Sequence, residues 1–403
     1  MSDLNAVPAA NRVHIGFFGR RNAGKSSVVN AVTGQELAIV SEVKGTTTDP
    51  VSKAMELLPL GPVVIVDTPG IDDEGELGAK RVAKTRQVLN RIDVALLVVD
   101  AACGLAAADR ELLAEFHRKN VNHLIVYNKA DLLPATPARP EAGSLYVSAV
   151  TKAGIDELKK RIGELGSTEE SKLRIVGDLV SPSDFVVLVT PIDKAAPKGR
   201  LILPQQQTIR DLLEADAVAI VVKEHELRDV LATLGKKPKM VITDSQVFAK
   251  AAADTPPDVW LTSFSILMAR YKGVLAPAVG GAAMLDAIRT GDRILIVEGC
   301  THHRQCDDIG TVKLPRWIRQ YTGVEPVFEF ASGVDFPTDL APCRLIVHCG
   351  GCMLNEREMR YRRRIADEQQ IPMTNYGIAI AYMQGILKRT LQPFPELLAL
   401  LEE

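Results

Sequence analysis

Gly19-Arg20-Arg21-Asn22-Ala23-Gly24-Lys25-Ser26 lies between an apolar run at Val13–Phe18 and a helical pattern at Ser26–Val32. The spacing is GxxxxGK[ST] in a strand–loop–helix context. That context matters because the backbone N–H groups of the loop and the helix N-terminus must face phosphate oxygens. Lys25 would neutralise charge on the β- and γ-phosphates, and Ser26 would ligate Mg²⁺. Gly19, Asn22, Ala23, Gly24 and Ser27 complete the phosphate-facing set.

Four further elements follow in order. Gly45-Thr46-Thr47-Thr48-Asp49 has the character of a switch segment, with Thr47 as the second Mg²⁺ contact. Asp67-Thr68-Pro69-Gly70 closes a strand; Asp67 would hold Mg²⁺ through water, and the Gly70 N–H would sense the γ-phosphate. Asn128-Lys129-Ala130-Asp131 closes another, and the Asp131 carboxylate can accept both N–H groups of guanine, which adenine does not offer. Ser148-Ala149 would complete the base pocket. Lys25, Thr47, Asp67 and Gly70 are the expected catalytic set, acting on GTP with Mg²⁺. The motifs resemble those of the Era and MnmE GTPases. Ile71 stands where Ras-like GTPases place a water-positioning glutamine, so that role needs compensation. Asn22 matches the P-loop asparagine that ligates K⁺ in potassium-activated members, although an ordinary loop residue would look the same. Slow, K⁺-stimulated hydrolysis is expected.

At 403 residues the chain is too long for one ordinary domain. A hydrophobic fraction of 46%, a charged fraction of 24% and a net charge of −2 describe a globular protein without the charge of a general nucleic-acid binder. No apolar run is long enough to span a bilayer and no signal pattern opens the sequence, so a cytoplasmic protein is expected. Alternating strand and helix patterns divide it into three α/β parts, a P-loop GTPase domain over 1–166, a small α/β domain over 173–262 and a third domain over 263–403, with a linker over 167–172 after the first. The middle part shows no catalytic constellation, which suits docking or dimerisation. Helices are expected at Gly281–Arg289 and Ile378–Thr390, among others.

The third part gathers soft ligands. Five of six cysteines (Cys300, Cys306, Cys343, Cys349, Cys352) and three of seven histidines (His302, His303, His348) fall between 300 and 352. Cys300 follows a strand-like run, and Cys349 ends another, so the two can converge beyond the carboxyl ends of a parallel sheet. Gly350-Gly351 between Cys349 and Cys352 permits a tight turn. Three thiolates can hold three corners of a [4Fe–4S] cluster, leaving the fourth iron for His302, His348, Glu298 or an exogenous molecule. A Cys₃His structural zinc site fits the same ligand types. Cys103 and Cys343 read as packing residues, and Cys306 stays ambiguous. The run Arg357–Arg364 puts Arg357, Arg360 and Arg364 on one helix face, either as a solvated surface or as an attractor of anions.

The order P-loop GTPase, small α/β domain, CxH…HCxxC resembles the GTPase family that matures the H-cluster of FeFe-hydrogenase. The resemblance covers nearly the whole chain. It implies cluster cysteines at Cys300, Cys349 and Cys352, with histidines at His302 and His348. It also implies a homodimer through the middle domain, and a scaffold that receives a transient di-iron subcluster precursor built with radical-SAM maturases. The precursor would then go to apo FeFe-hydrogenase. A ribosome- or tRNA-associated GTPase with a zinc module is the rival, but it predicts a basic, aromatic face that a chain of 5% aromatic content does not advertise. Neither nucleic acid nor membrane is expected as a partner.

Overall fold

The computed structural model describes residues 9–34, 51–71, 82, 84–135, 141–166, 174–192, 201–299, 308–333 and 335–401. The chain divides into two compact units, Met1–Glu170 and Ser171–Glu403.

The first unit is built on a six-stranded sheet: β1 (Val13–Phe18), β2 (Val51–Leu57), β3 (Gly61–Asp67), β4 (Val94–Asp100), β5 (Asn122–Asn128) and β6 (Ser144–Tyr146). Their order is β2-β3-β1-β4-β5-β6, parallel throughout except for the antiparallel β2–β3 pair. β1 and β4 are continuous apolar runs because helices cover both faces of the sheet, as parallel pairing requires. Alternate residues feed two cores: Ile15, Phe17, Val63 and Ile65 on one face, and Phe18, Val64 and Val66 on the other. β2 was not foreseen. Its sequence VSKAMEL is exposed along an edge and carries no burial signal.

The second unit holds two four-stranded, all-parallel sheets. One contains β7 (Phe185–Val189), β8 (Val218–Val222), β9 (Met240–Thr243) and β10 (Trp260–Ser263), ordered β10-β9-β7-β8. The other contains β11 (Arg293–Glu298), β12 (Val327–Ser332), β13 (Cys343–His348) and β14 (Met373–Asn375), ordered β12-β11-β13-β14. A single apolar core passes from Val186, Leu188 and Ile242 beneath the first sheet to Ile294, Ile296 and Val347 beneath the second.

Two helices depart from the sequence expectation. The one placed at Gly281–Arg289 runs instead over Leu275–Ala282 and tightens into a 3₁₀ turn at Ala283–Ala287. Gly281 there lies against the β14 backbone: a Cβ would come within 2.4 Å of the Met373 carbonyl oxygen, so the close approach needs glycine. The helix placed at Ile378–Thr390 is split into Tyr376–Met383 and Leu387–Thr390 by Gly385, whose φ is +70°.

Candidate functional site

The phosphate loop leaves β1 and caps the Lys25–Thr33 helix. Gly19 has φ +140°, and a Cβ there would meet the Val98 carbonyl oxygen at 2.1 Å. Gly24, at φ +86°, is the helix cap, and a Cβ would strike the Asn128 side chain at 2.3 Å. Lys25 is buried, and its Nζ donates to the carbonyls of Gly19 (2.9 Å) and Arg20 (2.8 Å). Ser26 Oγ donates to Asp67 Oδ2 at 2.8 Å, joining the two residues expected at Mg²⁺. Burial raises the Asp67 carboxyl above its ordinary value, against the Ser26 hydrogen bond and the Lys25 charge. Asp67 Oδ1 is buried and accepts no hydrogen bond among the described residues. A divalent cation or its water shell would satisfy it, so these residues fit Mg²⁺. Thr47 lies outside the described residues.

The base side is held through Asn128. Its Nδ2 donates to the Ala23 carbonyl (3.0 Å), and its Oδ1 accepts the Ala149 N–H (3.1 Å), which ties the phosphate loop to the base loop. Lys129 Nζ pairs with Asp100 Oδ2 at 2.7 Å. Burial opposes ionisation of Asp100, but the Lys129 hydrogen bond and the Ala102 N–H outweigh it and lower its pKa. Ser148 is buried, and its Oγ accepts the Thr151 N–H at 3.1 Å. Asp131 is exposed, available to a base. The sequence reading missed Arg20. Its Nε donates to Asp109 Oδ2 (2.9 Å) and its Nη2 to the Gly104 carbonyl (3.0 Å), fastening the phosphate loop to the start of the Ala107–Arg118 helix.

In the second unit, β11 and β13 are neighbours with Val297 paired to His348, so Glu298, Gly299 and Cys349 meet at the carboxyl edge of the sheet. The Cys349 N–H donates to the Val297 carbonyl at 2.8 Å. Cys349 Sγ accepts the N–H groups of Gly299 (3.0 Å) and Gly351 (3.4 Å). Backbone donors aimed at sulfur favour a thiolate, and a Cβ on Gly350 would meet nothing within 4 Å. Gly351 turns the chain at φ +62°. Asn355 then caps the Glu356–Glu368 helix by accepting the Glu358 N–H, aiming the positive end of the helix toward the loop. This donor set fits an anionic iron–sulfur cluster. Cys300, His302, His303 and Cys306 lie outside the described residues. Among the described residues no group of three His, Cys, Asp or Glu side chains is gathered to hold a metal ion.

His348, one of the candidates for the fourth iron, has both ring nitrogens engaged by the protein. Its Nδ1 lies 2.7 Å from the Cys349 carbonyl, which only accepts, and its Nε2 lies 3.1 Å from Arg362 Nη1, which only donates. The ring is therefore neutral, and both nitrogens are engaged, leaving no lone pair for iron. Burial, then the Arg362 charge, push its pKa down to about 3. Glu298 is buried and lies against Gly310: a Cβ there would sit 2.6 Å from its carboxylate and 2.5 Å from the Tyr376 hydroxyl.

The arginine run splits in two. Arg360, Arg363 and Arg364 pair one turn along with Glu356, Asp367 and Glu368, as a solvated helix face does. Arg362, hidden in the same run, is fully buried: Nε donates to Glu358 Oε1 (2.9 Å) and Nη2 to the Gly333 carbonyl (2.6 Å). Lys272 is likewise buried, and its Nζ donates to the Leu354 carbonyl at 2.8 Å. Burial lowers its pKa to about 8, partly offset by Glu356 and Cys352. A cavity of about 260 Å³ opens beside Cys349 and Gly350, walled by Val274, Ala278, Met359 and Met373.

Two consecutive family models match the second unit: the Hydrogen maturase F dimerization domain over residues 175–273 and the Hydrogen maturase F tetramerization domain over 276–393, together more than half of the chain. The chain belongs to the hydrogen maturase F family. Residues 14–129 of this hydrogen maturase F chain match the model described as 50S ribosome-binding GTPase. Curated relatives align with the first unit. The tRNA modification GTPase MnmE of Nitrosospira multiformis is 32% identical over 159 residues, covering 38% of this chain and 35% of that protein. MnmE of Xanthomonas campestris is 37% identical over 154 residues, covering 38% and 34%. The chain thus spans about a third of the length of these relatives. Era of Aquifex aeolicus bound to GDP·AlF₄⁻ is similar at 21% identity with a TM-score of 0.35, covering 55% of this chain and 98% of that one. No helix among the described residues is long and apolar enough to cross a membrane.

Proposed function

We propose that this chain is a GTP-hydrolysing scaffold and carrier that holds a [4Fe–4S] cluster on Cys300, Cys349 and Cys352 and delivers a di-iron precursor to apo FeFe-hydrogenase. The observation that carries the reading is the pair of N–H groups, from Gly299 and Gly351, directed at Cys349 Sγ on the carboxyl edge of the β11–β13 sheet. The cluster supplies an iron with an exchangeable position. Glu298, beside Cys349, and His302 are the protein's own candidates for that fourth position. Radical-SAM maturases supply the precursor, and the chain assembles with copies of itself through residues 175–273 and 276–393. The work is cytoplasmic.

In the nucleotide unit, Lys25, oriented by the Gly19 and Arg20 carbonyls, would neutralise the β- and γ-phosphates, while Ser26, Thr47 and Asp67 would hold Mg²⁺ and the Gly70 N–H would meet the γ-phosphate. Water attacks the γ-phosphorus, the bond to the β–γ bridging oxygen breaks, and GDP and phosphate leave. The Ile71 side chain offers no hydrogen bond to position water, so turnover is slow, and K⁺ held by Asn22 would supply transition-state charge.

Protein purified without oxygen is expected to be brown, to contain iron and sulfide, and to lose both in Cys300→Ala, Cys349→Ala and Cys352→Ala. Colourless protein with one tightly held zinc would overturn the reading in favour of a ribosome- or tRNA-associated GTPase with a structural zinc module.

A further inference from the structure

The loop Cys349–Leu354 is gripped at both ends by a buried cation that supplies no ligand. At its start, Arg362 donates to His348 Nε2, and His348 in turn donates through Nδ1 to the Cys349 carbonyl. At its end, Lys272, from the turn after the Phe264–Tyr271 helix, donates to the Leu354 carbonyl 82 residues away. Both cations are almost fully shielded from water, a placement that is costly unless their hydrogen bonds are made. Arg362 satisfies this with Glu358, the Gly333 carbonyl and His348, and it lies over the Phe336 ring. It cannot relax toward solvent, so its geometry fixes that of His348 and of the Cys349 carbonyl. Between the two grips the loop has the Gly351 N–H on Cys349 Sγ and the Leu354 N–H on the Gly351 carbonyl, and Gly350 and Gly351 carry no side chain to add packing.

We propose that Arg362, acting through His348, and Lys272 are positioning residues that hold the Cys349–Leu354 loop in its cluster-binding shape before any metal arrives. A flexible Cys-Gly-Gly-Cys segment would have to be ordered on metal binding, and that ordering would weaken the grip on iron. Two fixed anchors remove the ordering from the loading step. Their positive charge also opposes that of an anionic cluster, favouring its retention. The proposal rests on the cluster reading above, but its first test needs no metal.

Hydrogen exchange on the full-length apo-protein reads the anchors directly. Lys272→Met, and the paired change Glu358→Gln with Arg362→Met, which leaves no lone buried carboxylate, are expected to speed exchange at the Gly299, Gly351 and Leu354 amides at least ten-fold. Amides in the Glu356–Glu368 helix should keep their protection, as a control for folding. Lys272→Arg should restore slow exchange. After anaerobic reconstitution, the same two variants should take up iron but lose it to a chelator at least ten-fold faster, with a changed electron paramagnetic resonance signal of the reduced cluster. Loop amides as protected as in the parent, with the helix intact, would overturn the proposal. So would loosened loops with unchanged iron loss and an unchanged signal. If instead Cys349→Ala and Cys352→Ala retain full iron, the cluster reading fails, while the exchange result still stands or falls alone.

Discussion

The nucleotide site and the thiol loop both lie beyond the carboxyl ends of parallel strands, and they are held in shape by opposite means. The first draws Gly19, Gly24, Lys25 and Ser26 from one short loop and closes it on itself, with Lys25 on the loop's own carbonyls. The second is a short loop, Cys349–Leu354, that does not hold itself: Arg362, from the helix that follows it, and Lys272, from a turn 82 residues earlier, fix its ends. A contiguous site carries its geometry in its spacing. A distributed site carries its geometry in burial, which spacing does not record.

The largest expected effect tests whether the two sites are separable. Lys25→Ala should lower GTP turnover by about 1,000-fold, the loss of a principal transition-state charge, while iron and sulfide content per chain stays at the parent value. A parallel loss of iron would mean that the sites are one device. Next comes the distributed site itself. Arg362→Met alone strands Glu358 in the interior and should destabilise the second unit by about 3 kcal/mol in denaturant titration. The pair Glu358→Gln with Arg362→Met should recover most of that. Equal losses in the single and double variants would deny the ion pair its role.

A smaller effect concerns the monovalent cation. Replacing K⁺ with Na⁺ at constant ionic strength should slow GTP hydrolysis about ten-fold, which is about 1.4 kcal/mol in barrier, and Asn22→Ala should erase the difference. Equal rates in both salts would take Asn22 out of the mechanism. The smallest lies on the surface of the second unit, where Arg270 pairs with Asp178 (Nη1–Oδ1 2.9 Å). Burial opposes ionisation of Asp178, but Arg270 outweighs it and lowers the carboxyl's pKa. A depressed carboxylate contributes its stability fully above its unfolded value near 4, and loses it as pH falls through the lower folded value. Asp178→Asn should therefore cost less than about 1 kcal/mol at pH 7, given the pair's exposure, and nothing once the parent's carboxyl is protonated. A constant difference down to pH 2, followed by thermal melting, would show that the effect is not electrostatic.

Sequence disclosed the elements whose burial is continuous and the site whose residues are adjacent. β1 and β4 stand out as unbroken apolar runs, and the motif Gly19–Ser26 sits between a strand and a helix as its spacing requires. β2 and β14 were missed for different reasons: VSKAMEL is an exposed edge strand, and Met373–Asn375 is too short to show a period. That β11 and β13 end at one sheet edge was legible from their apolar runs, while Cys300, expected beside Cys349 there, lies outside the described residues. Arg362 was not legible, because its neighbours Arg360, Arg363 and Arg364 have the same chemistry and only the fold shows which of them turns inward. The hydrogen bonds of His348 were hidden for a related reason: a histidine beside a cysteine suggests a ligand, and spacing does not show that Arg362 and the Cys349 carbonyl engage its two nitrogens.

The Ser26–Asp67 hydrogen bond has a consequence for any cation affinity measured at the first site. The Ser26 hydroxyl donates to Asp67 Oδ2, so a cation taken up by both residues would replace that hydrogen bond, whereas Lys25, with three N–H donors, can keep its two carbonyls and still reach phosphate. An observed dissociation constant for that cation is then an exchange constant. A substitution that weakens the internal contact more than the external ones would tighten cation binding without adding a single contact to it.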